Sequence, residues 1–280
     1  MSGSGERRAV VCLSFDNLGE VTDLQRGLWP EHEPLGRHFS VTRALPRILA
    51  ALAETGLRAT FFVEGRNTEL YPDTLQEIAA AGHEVAYHGW CHEDWAGLPP
   101  EREFELLERG VEAMDDLGLR PQGFRPPGGR LTASSLGLLG DLGFAYCSPA
   151  GEGAAVREGL AILPFRWAAI DAYHYLPRFG GLRARDHGSP EPLPPARFAD
   201  ALDAGLRDAT GTGGFLSVLF HPFLTEDEAR FAVLRGRLEA VRALADEGAV
   251  WCAPHRDVAA ALREAGDGAW GDLRLDLTAA

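Results

Sequence analysis

The sequence predicts an α/β fold, a (β/α) barrel of seven to eight parallel strands. Short apolar runs alternate with amphipathic stretches along most of the 280 residues. That is the pattern of parallel strands joined by crossover helices. Seven or eight such units favour closure over an open sheet. No GxGxxG follows a strand to support the structural alternative, a doubly wound nucleotide-binding sheet. Four of the apolar runs also end on reactive polar side chains, at the end of the strand where a parallel barrel carries its chemistry.

The elements follow in order. AVVCLSF (9–15) is an apolar run that stops at Asp16, and a polar loop with Gly19, Pro30, Pro34 and Gly36 follows. LPRILAALAETG (45–56) puts Leu45, Ile48, Leu49 and Leu52 on one helical face and ends at a glycine. ATFFV (59–63) is a strand, YPDTLQEIAAAG (71–82) a helix with proline near its start, and HEVAYH (83–88) a strand. The stretch 99–118 is a long amphipathic helix opened by two prolines, and GFR (123–125) is a strand end before PPGG. A helix at 132–143, a strand at 144–147 and a strand at 160–167 come next. Residues 176–195, rich in Gly, Pro and Arg, predict a loop that could act as a lid. A helix at 195–209, the strand GFLSVLF (214–220) ending at His221, a helix at 226–246, a strand at 249–252 and a helix at 255–265 close the series. Residues 1–265 read as one barrel and 266–280 as a loose tail.

The net charge of −14 argues against a nucleic-acid or anionic-membrane partner, since both need a basic footprint. The four cysteines are widely spaced with no CxxC, so no disulfide framework is predicted. The first residues make a poor signal peptide, and no run approaches the ~18 apolar residues of a membrane span. The expected location is the cytoplasm.

The reactive strand ends are Asp16, His88 with His92 four residues on, Arg125, and His221. Each taken singly has a structural explanation, such as a turn aspartate or a core histidine. No packing requirement places all of them at strand ends together. HGWCH (88–92) is the metal candidate, because two histidines four apart can meet one ion from a helical turn or tight loop. Arg125, before the rigid PPGG turn, is suited to hold the Asp16 carboxylate in place.

LSFDN, ATFFVEG, GHEVAYHGWCH, GFRPPGG and VLFHP, in this order over roughly residues 9–225, resemble the polysaccharide deacetylase (NodB-homology) family. The peptidoglycan-deacetylase-like and allantoinase-like branch without a signal sequence is the nearest pattern. The resemblance implies a distorted (β/α) barrel and hydrolysis of an N-acetyl or other non-peptide C–N bond, usually with a zinc-like divalent ion. It implies Asp16 as base, Arg125 as its orienting partner, His221 as acid and Asp171 as the partner of His221. It also implies His88 and His92 as metal ligands, a saccharide or other small-molecule substrate, and a homo-oligomer. Trp90 and Phe124, aromatic and near the site, either stack on a substrate ring or belong to the core, and Pro126 is an expected substrate contact.

One position departs from that pattern. Most of the family has a second acid directly after the base, or two residues after it in this branch; here those positions are Asn17 and Leu18. Three readings stay open. Asn17 completes the metal site through its amide oxygen, Glu20 swings in as the carboxylate ligand, or no metal is held. The leading function is C–N hydrolysis. The alternatives are metal-free acid/base chemistry, such as a cyclisation or isomerisation, and a non-catalytic ligand-binding relative.

Overall fold

Strand β1 (Ala9–Asp16) is buried along all eight of its residues, as a strand paired on both edges and covered on both faces must be. The structure is a computed structural model and describes residues 8–276. The further strands are β2 (Thr60–Val63), β3 (Glu84–Tyr87), β4 (Gly123–Phe124), β5 (Tyr146–Cys147), β6 (Gly151–Glu152), β7 (Ala155–Arg157), β8 (Leu160–Ile162), β9 (Phe215–Phe220), β10 (Val250–Cys252) and β11 (Arg274–Leu275). One edge of β1 pairs with β9. The other pairs with β10 along its first half and with β2 along its second. From β2 the sheet runs in parallel through β3, β4 and β5 to β8. It curls back to β9 through a single parallel bridge, Ile170 to Leu219. The result is the predicted barrel in distorted form, a curled mixed sheet whose gap is spanned by that isolated bridge.

Helices Leu45–Thr55, Pro72–Ala80, Pro100–Asp115, Ser135–Asp141, Pro195–Thr212, Glu228–Asp246 and His255–Ala265 fall in the predicted stretches. Proline opens three of them, where its missing N–H costs no helical hydrogen bond. Gly56, at φ +64°, ends Leu45–Thr55 in the left-handed conformation. Among the described residues no helix is long and apolar enough to cross a membrane.

Three predicted features differ. The strand expected at 160–167 is only β8, and β8 pairs antiparallel with β7 in a hairpin the sequence reading did not contain. Its turn residues Glu158 and Gly159 both have positive φ, +50° and +80°. Glutamate is an uncommon choice for that turn, so the usual hairpin signal is absent. Residues 176–195 are not an unstructured lid. They include the helix Gly180–His187, held by the buried Arg183, whose guanidinium donates to the carbonyls of Tyr173, Leu176, Pro190 and Glu191. The tail is not loose as far as it is described. β11 pairs with β6, and Asp276 N–H donates to Ala150 O. Residues 277–280 lie outside the described residues.

Buried histidines make the fold sensitive to acid. His83, 4 % exposed, accepts the Ala59 N–H at Nδ1, and desolvation with nearby Arg58 lowers its pKa to about 4. Between the ordinary histidine value and about 4, the unfolded chain binds a proton that the native state refuses, so His83 destabilises the native state as pH falls through that window. His83→Gln keeps an acceptor for Ala59 without the titration. Urea midpoints at pH 7 and pH 4.5 should fall further in the wild type than in His83→Gln. Equal falls would remove His83 from the account.

Candidate active site

Parallel strands deliver their last residues to one end of the barrel, so Asp16, Glu64, His88, Arg125 and His221 arrive there from β1, β2, β3, β4 and β9. A cavity of about 190 Å³ opens at that end, and its lining includes Asp16, Asn17, His88, His92, Arg125 and His221.

Arg125 organises the floor. It is fully buried, with Nη1 donating to Asp16 Oδ1 (2.7 Å) and Ser14 Oγ (2.9 Å). Nη2 donates to Ser148 Oγ (3.0 Å), and the guanidinium lies 3.9 Å over the Phe62 ring. The predicted orientation of Asp16 by Arg125 is therefore present as a direct ion pair. Asp16 Oδ2 stays toward the cavity, 3.8 Å from His88 Nε2. Ser14, Ser148 and Ser217 escaped the sequence reading. The detectable signal was a serine at an interior position of an otherwise apolar strand, as in LSFD and FLSVLF.

His88 Nδ1 contacts the Arg125 carbonyl at 2.8 Å. A carbonyl can only accept, so Nδ1 carries the proton and Nε2 keeps its lone pair. Desolvation lowers the His88 pKa to about 4, and it holds His92 well below the usual value, with His88 adding to the effect. Both rings are thus neutral, and their centroids lie 5.0 Å apart. The HGWCH segment is a loop, not a helical turn. Glu93 accepts the N–H groups of Trp90 and Cys91, and His92 has φ +63°.

Asn17 is also strained, at φ +59°. Outside glycine, the described residues hold three positive φ values, and two fall on these proposed ligands. Such strain persists where the surroundings over-determine a conformation. At Asn17 the determinant is Glu64, a buried acid missed in the sequence. Asn17 Nδ2 donates to Glu64 Oε1 (2.6 Å) and Thr22 Oγ1 (3.1 Å). The amide oxygen is left as the atom without a hydrogen bond among the described residues. Desolvation raises the Glu64 pKa to about 7, against the lowering effect of the Asn17 and Thr22 hydrogen bonds.

Glu20 does not reach the site. Its carboxylate accepts from Tyr71 Oη (2.5 Å) and Gly36 N–H (2.6 Å), which removes the second reading of the metal site. No three His, Cys, Asp or Glu side chains come together as a metal site among the described residues. The candidate donors for a divalent ion are His88 Nε2, the His92 imidazole and the Asn17 amide oxygen, which line the same cavity as the Asp16 carboxylate.

Across the cavity, His221 Nδ1 meets Asp171 Oδ1 at 2.6 Å, and Asp171 Oδ2 accepts the His221 N–H at 2.7 Å. The partnership that the resemblance implies for Asp171 and His221 is a direct contact in space. The barrel seam makes it: Ile170 bridges Leu219, which brings Asp171, one residue on, beside His221, two residues on. The carboxylate fixes the proton on Nδ1 and leaves Nε2 for the cavity.

Of the two readings open for Trp90 and Phe124, both residues take the core one. Trp90 packs on Gly65, where a Cβ would sit 2.6 Å from its ring, and lies under the Arg109 guanidinium. Phe124 is fully buried against Trp95. Neither lines the cavity; Pro126 does, and the aromatic walls are Phe165 and Phe179.

A family model described as polysaccharide deacetylase matches residues 6–147, half of the chain. A peptidoglycan deacetylase-like protein of Gibberella zeae is 35% identical over 103 residues, 36% of this chain and 30% of that relative, so the match spans under a third of its length. A Mycobacterium smegmatis structure assigned to the polysaccharide deacetylases is 28% identical with TM-score 0.78, covering 100% of this chain and 98% of that one. An allantoinase shares the fold at 18% identity and TM-score 0.73, over 93% and 92% of the two chains. With barrel, strand-end motifs and family model in agreement, this chain belongs to the polysaccharide deacetylase family.

Proposed function

We propose that the protein hydrolyses a non-peptide C–N bond, the N-acetyl amide of a saccharide or sugar conjugate. The observation that carries this reading is one cavity with a carboxylate clamped by a buried arginine on one side and a carboxylate-paired histidine on the other. Asp16 Oδ2 is the free oxygen that takes the proton of the attacking water. His221 Nε2 is the free nitrogen that delivers a proton to the departing amine, with Asp171 complementing the charge on its ring. His88, His92 and Asn17 would hold a divalent cation, zinc by the nature of the donors, which supplies Lewis-acid polarisation of the amide carbonyl. Phe165 and Phe179 offer apolar walls for a ring.

The test is acetate release from N-acetylated sugar oligomers by zinc-equilibrated protein, together with the metal content. His88→Ala is expected to weaken zinc binding by more than about 100-fold, because it removes the donor whose tautomer is fixed from behind. Isothermal titration calorimetry reads that directly. Metal-free acid/base chemistry is the second reading, favoured by the neutral Asn17 where the family has an acid. It predicts that wild type and His88→Ala bind no zinc and that turnover is found on an activated substrate.

A further inference from the structure

Arg26 follows the short helix Val21–Gln25 in the loop after β1, and Arg178 lies in the turn Pro177–Phe179. They come from segments about 150 residues apart in sequence, yet both line the catalytic cavity. Both also line an adjoining cavity of about 270 Å³, as does Asn17, so Arg26, Arg178 and Asn17 are common to the lining of both spaces. Among the described residues neither side chain makes a hydrogen bond or has a carboxylate within 4.0 Å. Asp23 lines the outer cavity but pairs with neither.

The protein's net charge is −14, with 41 acids available against 27 bases. Many other arginines sit on acids, as Arg43 does on Glu226 and Arg166 on Asp208; what sets Arg26 and Arg178 apart is that two without such a partner line one cleft. Two cations that face one cleft with no carboxylate in direct contact repel each other, and Asp171 offsets this for Arg178 only in part. Desolvation and the proximity of Arg26 bring the Arg178 pKa down to about 10. An anion seated between them removes the repulsion and gains charge-assisted hydrogen bonds from planar forks suited to carboxylate or phosphate oxygens.

We infer that the substrate carries an anionic group, a carboxylate or a phosphate, held by Arg26 and Arg178 in the outer cavity while its acyl-amide occupies the catalytic one. This rests on the hydrolase reading for the nature of the reacting group, and not for the anion site itself. The outer cavity makes the site selective for acidic N-acyl sugars over neutral ones.

The experiment measures binding without turnover, on chelator-treated protein so that no metal acts as the anion receptor. Three probes are titrated by calorimetry: N-acetylglucosamine, N-acetylglucosamine 6-phosphate and N-acetylmuramic acid. Wild type should bind one of the two anionic sugars at least about tenfold more tightly than the neutral one, and the preference should weaken in high salt. A preference for the phosphate or for the acid identifies which anion the site takes. Arg26→Met, Arg178→Met and the double substitution should reduce the preference stepwise toward none. No preference for either anion in wild type overturns the inference, as does a preference that survives the double substitution. Anion selectivity without acetate release from any probe in the zinc-loaded enzyme would overturn the hydrolase reading and leave this site standing.

Discussion

Asp16→Asn is expected to lower kcat/KM by about 10²–10⁴-fold while leaving the fold and the metal affinity close to wild type. Asparagine preserves an oxygen for Arg125 Nη1, now 2.7 Å from Asp16 Oδ1, and Ser14 and Ser148 continue to hold the guanidinium. The loss falls on Oδ2, the oxygen that looks into the cavity. Arg125→Met should behave differently. It removes the same orientation but strands the Asp16 carboxylate in a buried site, at about 3–5 kcal/mol of stability. The pair of variants separates catalysis from packing: kinetics, zinc calorimetry and urea unfolding on both proteins. Wild-type rates in Asp16→Asn would withdraw the role assigned to that residue. An Arg125→Met protein as stable as wild type would show that the ion pair does not organise the floor.

Asn17→Asp has the second large effect, and its sign depends on Glu64. Restoring the acid common in the family looks like a simple gain of a metal ligand. The structure puts a buried carboxylate 2.6 Å from the amide nitrogen that would be replaced. Glu64 loses a donor and meets a like charge. Its pKa, already raised to about 7 by desolvation, must rise further. Below that raised value Glu64 is protonated and can donate to the new carboxylate. Above it two anions face each other, at a cost on the order of 2–4 kcal/mol. Asn17→Asp should therefore bind zinc at least about tenfold more tightly than wild type, but lose stability as pH rises from 6 to 9. Asn17→Asp with Glu64→Gln should keep the tighter zinc binding and lose the pH penalty, because the glutamine amide donates where the acid repelled. Calorimetry and urea titrations at pH 6 and 9 decide it. If the single and double variants have the same pH dependence, Glu64 is not the group that fixes Asn17.

Much of the site was legible because a parallel barrel has a simple rule. An apolar run of four to eight residues becomes a buried strand, and whatever polar residue ends it lands at one rim. Asp16, His88, Arg125 and His221 follow from that rule and from the motifs that carry them. The partners that arrive from non-adjacent segments do not. Glu64 ends ATFFV as visibly as Asp16 ends AVVCLSF, but its significance lies in an amide 47 positions away. The interior serines and His255 around Arg125 are one or two residues each in apolar strands or at a helix start, and only barrel closure gathers them.

The sequence by itself determined the order of the main parallel strands and their crossover helices, the barrel class, and the residues that end those strands, because apolar periodicity and turn chemistry are local. Tertiary structure decided everything that depends on which surfaces meet. It turned Trp90 and Phe124 into core and put Phe165 and Phe179 on the cavity wall. It tied Glu20 to Tyr71 and turned Asn17 by its bond to Glu64. It also brought Arg26 and Arg178 to one cleft. A side chain's direction and its unpaired charge are properties of the closed fold, set by contacts between segments that no local pattern brings together.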